Sequence, residues 1–344
     1  MNPTQLESRI QTVCLLILTT IATATALYWL APIMIPFVLA VFLAFGVAPF
    51  IQILMRYLKV PRSLAVVATL LLGFVILNLV ATLISTSLSQ LAANADSYQE
   101  QFTLLVERAS SALPLEEYGI EPESFANPLS TIPTKTVGGM LVYVMSTLLN
   151  LVSKGFLVLV FLFFLLIGGQ KVERSIGGVW EEVGVKIQRY IVTKTIMSGA
   201  TGIAVGSILG VLGIDLALVF GFFAFILNFI PSLGSLVATL LPLPVILFSP
   251  DVTATTAVLA IALPALVQVV IGNFIDPRVM GESLDLHPVT ILIALIFWGM
   301  IWGLVGMLLA VPLVAILKLL FERLEITAPL GNLLAGRLGT PAPE

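Results

Sequence analysis

Eight stretches of this chain, at residues 13–30, 33–55, 64–84, 152–169, 191–213, 216–248, 252–275 and 289–320, are apolar almost without interruption. Each is long enough to cross a hydrocarbon core of roughly 30 Å as helix. A backbone placed in lipid must satisfy its own polar groups, which leaves helix or closed barrel. Barrel strands alternate apolar and polar residues with period two, whereas these stretches are apolar on every face, so helix is selected. The expected fold class is an all-α polytopic integral membrane protein. The chain is 59% hydrophobic and 10% charged, against about a quarter charged in soluble domains, so the bilayer is its solvent.

A net charge of -3 supplies no basic footprint for nucleic acid. The single cysteine, Cys14, excludes an intramolecular disulfide and a cysteine-based metal site. Ala22, Ala24 and Ala26 are spaced like a signal-cleavage site, but the block around them is too long for a signal core and runs directly into a second one. It is expected to stay as the first span.

Orientation follows from Lys and Arg in the short loops. Arg56, Lys59 and Arg62, and then Lys171, Arg174, Lys186 and Arg189, place their loops and the N-terminus in the cytoplasm. Between residues 85 and 138, Asp96, Glu100, Glu107, Glu116, Glu117, Glu121 and Glu123 face only Arg108 and Lys135, with prolines clustered from Pro114 to Pro133. This outward excursion is expected to begin as a helix running to about residue 112 and to end, at 140–151, as an interfacial helix, with Lys154 snorkelling at the outer end of the next span. The domains are thus a three-span scaffold (1–84), an extracytoplasmic excursion (85–151) and a transport core (152–344) whose broken-helix halves cover about 191–248 and 252–320.

Two blocks are too long for one crossing: 33 residues at 216–248 would make a helix of about 50 Å. A shift of 70 residues aligns the two overlong blocks with nine identities over 33 positions, among them Asp215-Leu216 with Asp285-Leu286 and Pro242-Leu243 with Pro312-Leu313. Each is interrupted near its middle, by Pro231 and Gly234 in one and by Gly299, Gly303 and Gly306 in the other, where helix propensity is lowest. The economical reading is six full crossings plus two re-entrant helical hairpins in an inverted repeat, with both termini cytoplasmic. Inverted repeats of broken helices hold substrate near the midplane in many transporters. The alternative is eight plain transmembrane helices.

Polar residues inside apolar blocks need a partner or a cavity. The main cluster is Asn228, Pro231, Ser232, Gly234, Ser235 and Thr239 at the first break, with Gln268, Asn273 and Asp276 towards the end of the following span. Freed backbone groups beside amide and hydroxyl side chains suit a neutral polyol or a small cation. Interhelical hydrogen bonding is the structural alternative for Asn228 and Gln268. Asp276, just before Pro277, is the candidate ion-coupling or proton group. Asp215 and Asp285 read as helix N-caps, and Lys194 with Arg189 as anchors of a cytoplasmic helix end. His287 is the sole histidine, read as an interfacial loop residue or a pH sensor. Trp298 and Trp302 fall at the second break, where they line a cavity or pack a core. With no phosphate-binding loop, no His-Glu-x-x-His helix and no Ser/His pair, neither enzyme activity nor a cofactor or metal is expected.

At these same residues the sequence resembles the autoinducer-2 exporter family of bacterial permeases. The resemblance lies in Lys194-Thr195 with Ser198 and Gly202; in Phe225-Ile226-Leu227-Asn228-Phe229-Ile230-Pro231 followed by Gly234-Ser235; in Gly272-Asn273 with Pro277 and Gly281; and in His287-Pro288. It continues through Trp298-Gly299, Trp302-Gly303, Gly306-Met307 and Pro312-Leu313. Where many members carry an aspartate after the fourth span, this chain has Leu165-Leu166-Ile167-Gly168-Gly169. The resemblance implies residence in the bacterial cell membrane, export of the autoinducer-2 quorum signal or another small polar solute, homo-oligomers with pentamers favoured, and in some relatives exchange of Na+ or Li+ for H+. Three functions are therefore carried forward: solute exporter, Na+(Li+)/H+ antiporter, and a non-transporting scaffold whose excursion binds a partner.

Overall fold

The computed structural model describes residues 3–93, 154–168, 179–249, 252–276, 285–323 and 327–337, together with Glu100 and Arg278. Every regular element among them is helical. The chain runs through α1 (Pro3–Trp29), α2 (Ala31–Tyr57), α3 (Arg62–Ala93), α4 (Lys154–Gly168) and α5 (Val179–Val211). It continues through α6 (Ala217–Leu227), α7 (Leu233–Leu240), α8 (Leu243–Phe248), α9 (Ala254–Val269), α10 (Pro288–Arg323) and α11 (Ala328–Leu334). α9 passes without a break into a π-helical stretch, Val270–Ile275. The outer part of the excursion and its interfacial helix lie outside the described residues.

Among the described residues, five segments are long and apolar enough to cross a membrane: Ala31–Tyr57, Arg62–Ser87, Gly184–Val211, Ala254–Ile275 and Pro288–Arg323; α1, α4, α6 and α7–α8 supply shorter apolar helices. Large apolar side chains such as Leu71, Ile203, Val211 and Met300 stand on the outside of these helices, an arrangement that water penalises and lipid does not. The protein is a polytopic membrane protein.

Local chemistry explains several boundaries. Pro32 opens α2, where its missing N–H costs nothing. Thr253 caps α9, its Oγ1 accepting from the Thr256 amide at 3.2 Å. Along the C-terminal half of α3, Asn78, Thr82, Ser85, Thr86 and Ser89 each donate to the carbonyl four residues back, so their polar groups are satisfied within the helix itself. α5 begins at Val179, twelve residues before the apolar block at 191–213, so Lys186 and Arg189 lie on the same helix.

Two compact units can be distinguished, one comprising residues 1–67, 157–191 and 282–344 and the other residues 68–156 and 192–281. In the second unit, the first overlong block is three helices, α6, α7 and α8. α6 ends at Asn228; Ser232 then adopts φ 60°, and α7 packs back against α6. A Cβ on Gly234 would overlap the Leu227 carbonyl, seven residues earlier.

The first unit repeats the device. α10 spans 36 residues, but Gly303 within it has φ 61° and ψ -143°, a conformation open only to glycine. A Cβ on Gly306 would overlap the Trp298 carbonyl eight residues earlier, and one on Gly299 would lie 2.9 Å from Met307 Cγ. In a straight helix such residues are about 12 Å apart along the axis, so the two arms of α10 are folded against each other at Gly303. The correspondence Gly234 with Gly306 lies two residues off the 70-residue register, which had set Gly234 against Leu304. The backbone contact, rather than residue identity, fixes the equivalence.

Gly234→Ala and Gly306→Ala are each expected to cost about 3 kcal/mol, the upper range of overpacking, because the obstacle is a carbonyl that cannot swing aside. Gly199→Ala, where a Cβ meets nothing within 4 Å, should be neutral or mildly stabilising. Thermal unfolding in detergent measures all three; wild-type stability for both Gly234→Ala and Gly306→Ala would contradict the folded-back contacts.

Candidate functional site

The polar interior of the second unit starts from one face of α5. Lys194, Ser198, Thr201, Val205 and Leu209 are all buried, and their spacing of i, i+4, i+7, i+11 and i+15 defines a single helical stripe. The stripe is polar over its first three members and apolar thereafter. α6 approaches α5 through glycines: a Cβ on Gly221 would stand 2.7 Å from the Gly202 carbonyl oxygen and 2.9 Å from the Gly206 Cα. This backbone-to-backbone contact brings the end of α6 within reach of the stripe. Asn228 Nδ2 donates to Ser198 Oγ at 3.0 Å.

α9 supplies the other partner. Lys194 Nζ donates to Asp276 Oδ2 at 2.5 Å, with side-chain exposures of 7% and 10%. Residues eight apart on an α-helix are about 80° out of phase. The wider π turns between Gln268 and Asp276 advance less per residue, and both side chains end up buried. Asn273, within the π stretch, faces outward and is exposed. Single π turns within α-helices occur frequently at functional sites.

Three buried polar atoms here have no protein partner: Gln268 Nε2, Gln268 Oε1 and Asp276 Oδ1. Leaving such a group unsatisfied costs about 1–3 kcal/mol, and a pair retained as structural glue has its remaining lone pairs filled. Asp276 therefore keeps one carboxylate oxygen, and Gln268 both ends of its amide, without a protein partner.

The remaining residues of the predicted cluster are placed differently. Ser232 is exposed at the turn before α7. Ser235 Oγ donates to the Ser232 carbonyl and Thr239 Oγ1 to the Ser235 carbonyl, both at 2.9 Å. The Pro231 carbonyl accepts from the Leu233 amide at 2.6 Å, and Gly234 is buried against Leu227. Lys194 was read as a helix-end anchor; it is instead buried and ion-paired. Its spacing to Ser198 and Thr201 is the signal that would have found it.

In the first unit, Trp298 and Trp302 are buried with ring centroids 4.9 Å apart, and Trp302 Nε1 donates to the Leu27 carbonyl at 3.1 Å. They pack a core that ties α10 to α1. Asp285 is no N-cap: its carboxylate meets Lys318 at 3.0 Å and also pairs with Arg337. Nor does Asp215 cap α6, since Leu216 holds the N-cap position with φ 62° and no side-chain bond. His287 is exposed, its Nδ1 accepting from the Val289 amide at 3.3 Å while its own amide donates to the Leu334 carbonyl. No cluster of three potential metal-ligating side chains occurs among the described residues.

The family described as AI-2E family transporter matches residues 17–326. The chain belongs to the AI-2E transporter family. It is 30% identical over 305 residues to the AI-2 transport protein TqsA of Escherichia coli strain K12, covering 85% of this chain and 86% of TqsA. It is 26% identical over 326 residues to YhhT of the same organism, covering 91% and 90%. It is 27% identical over 323 residues to MT0215 of Mycobacterium tuberculosis, covering 86% and 85%. This is a family of transporters and not of enzymes.

Removing one partner of a buried pair strands the other charge, at a cost of about 3–5 kcal/mol. Lys194→Gln and Asp276→Asn should each lose that much, and the double variant much less than their sum. A double-mutant cycle on unfolding in detergent measures the coupling; additive losses would show that the two side chains do not interact.

Proposed function

We propose that the protein is a secondary transporter that exports a small polar solute, autoinducer-2 or a compound like it, by alternating access. The observation that carries this reading is the buried polar set of Lys194, Ser198, Asn228, Gln268 and Asp276 inside otherwise apolar helices of a transporter-family chain. Ionisable groups at such positions are expensive in a membrane and mark solute or ion pathways. The name of TqsA and its 30% identity support the solute. A neutral hydroxylated compound both donates and accepts, which matches the unpartnered Gln268 amide.

In this reading the folded-back segments around Ser232 and Gly303 are re-entrant hairpins of opposite topology, giving six full crossings, with both termini in the cytoplasm of a bacterial cell. The family resemblance supplies the homo-oligomer, a pentamer. A second reading, a Na+(Li+)/H+ antiporter, is favoured by the Lys194–Asp276 pair, since a buried carboxylate is a natural ion site.

Two experiments test these readings. In proteoliposomes, Gln268→Ala and Asn228→Ala are expected to slow autoinducer-2 efflux roughly 5- to 100-fold, the loss of one or two buried hydrogen bonds. Unaltered efflux in both would remove the solute site from this unit. For topology, cysteines replacing Ser249 or Glu282 in a Cys14→Ser background should react with an impermeant maleimide from outside and from inside respectively. The reverse pattern would establish eight plain crossings.

A further inference from the structure

The two arms of α10 fold together at Gly303, which leaves an open end where the first arm begins and the second finishes. There Asp285, just ahead of the first arm, accepts from Lys318 of the second at 3.0 Å. Lys318 is buried, with Glu322 of its own arm 3.4 Å away. The chain beyond α10 turns back over both ends. On the second arm, Thr327 Oγ1 donates to the Phe321 carbonyl at 3.1 Å, and a Cβ on Gly331 would stand 3.1 Å from the Glu322 nitrogen. On the first arm, the Leu334 carbonyl accepts two bonds, from the His287 amide at 3.1 Å and from Thr290 Oγ1 at 3.0 Å. Gly336 rests on the His287 ring, and Arg337 pairs with the same Asp285 Oδ2 that Lys318 uses.

Residues 327–337 therefore tie the start of the first arm to the end of the second, and they do so with contacts that are cheap to release. Within α11 the buried residue is Gly331, while Leu330 and Leu333 are exposed. Polar bonds and close backbone hold the segment, so detaching it uncovers little apolar surface. The contact with the first arm is also made by left-handed backbone on both sides, φ 46° at Asp285 and φ 76° at Gly336. Such a conformation at a non-glycine residue persists only where its surroundings impose it, and it clusters at clamps and switches. Elements that move in function are drawn from weakly held segments of this kind.

We propose that residues 327–337 are a clasp across the open end of the α10 hairpin, closed in this structure, and that the clasp must leave the first arm for solute to pass. Release takes Leu334 from His287 and Thr290, and Arg337 from Asp285. No charge is left buried alone, because Asp285 and Glu322 both stay with Lys318, and Arg337 is already half exposed to water. The need for release rests on the transport reading; the closed clasp itself does not and is measurable without solute.

The test uses the full-length protein in a Cys14→Ser background. Thr290 is half-buried beneath the Leu334 carbonyl, so a Thr290→Cys thiol reports whether the clasp is closed. Adding Arg337→Glu, which sets like charge against Asp285, should speed maleimide labelling of that thiol about fivefold, the most an exposed pair is worth. To lock the clasp, His287→Cys is combined with Gly336→Cys, since a Cβ at 336 stands 3.1 Å from His287 Cβ, slightly inside the separation a disulfide spans. In proteoliposomes the oxidised double variant should lose autoinducer-2 efflux and regain it on reduction, while oxidant leaves either single variant unchanged. Arg337→Glu should export no more slowly than the wild type. Unchanged labelling, full efflux with the disulfide formed, or loss of efflux by folded Arg337→Glu each overturns the proposal. If the wild type exports no autoinducer-2, the exporter reading falls, and the labelling result still decides whether the clasp closes over Thr290.

Discussion

Peptide backbone lies directly on peptide backbone at Gly234 and again at Gly306, and both overlong apolar blocks depend on that contact. In each case a glycine packs against the carbonyl of a residue seven or eight positions back, Leu227 or Trp298, after a residue with positive φ reverses the chain. No side chain larger than hydrogen fits between the arms. Without that close approach the blocks would be rods far longer than a bilayer is thick. With it, the first becomes the three short helices α6, α7 and α8 and the second two arms that meet at Gly303, and Asn228 at the end of α6 is buried. The same economy brings α6 onto α5 through Gly202, Gly206 and Gly221, and so puts Asn228 against Ser198.

Much of this architecture was legible in the sequence because the bilayer imposes simple rules. Block length and the absence of alternation gave helices, and Pro231, Gly234, Gly303 and Gly306 marked where two of the blocks break. The polar cluster was partly legible for the same reason: amides and a carboxylate inside apolar blocks stand out. Asn228, Gln268 and Asp276 could be picked by composition alone, and all three are buried.

What the sequence did not disclose depends on geometry between elements. Lys194 sits at the edge of an apolar block, where a lysine is ordinarily an anchor; only the approach of α9, 82 residues away in sequence, makes it the counter-charge of Asp276. The π stretch cannot be read from Val270–Ile275 by propensity, yet it determines that Asn273 faces out while Gln268 and Asp276 face in. Asp285 looked like a cap because it precedes a helix, but its partners, Lys318 and Arg337, come from the far end of α10 and beyond α11. Pattern identifies which residues are out of place in lipid; it does not say which of them meet.

The most direct measurement of the folded-back backbone is a disulfide across it. With Gly299→Cys and Met307→Cys in a Cys14→Ser background, oxidation should form an intramolecular bond that protects both thiols from a maleimide-polyethylene glycol label, since a Cβ at 299 stands 2.9 Å from Met307 Cγ. In an unbroken helix the same positions are about 12 Å apart, beyond the reach of any disulfide. Two thiols that remain fully reactive after oxidation would contradict the account.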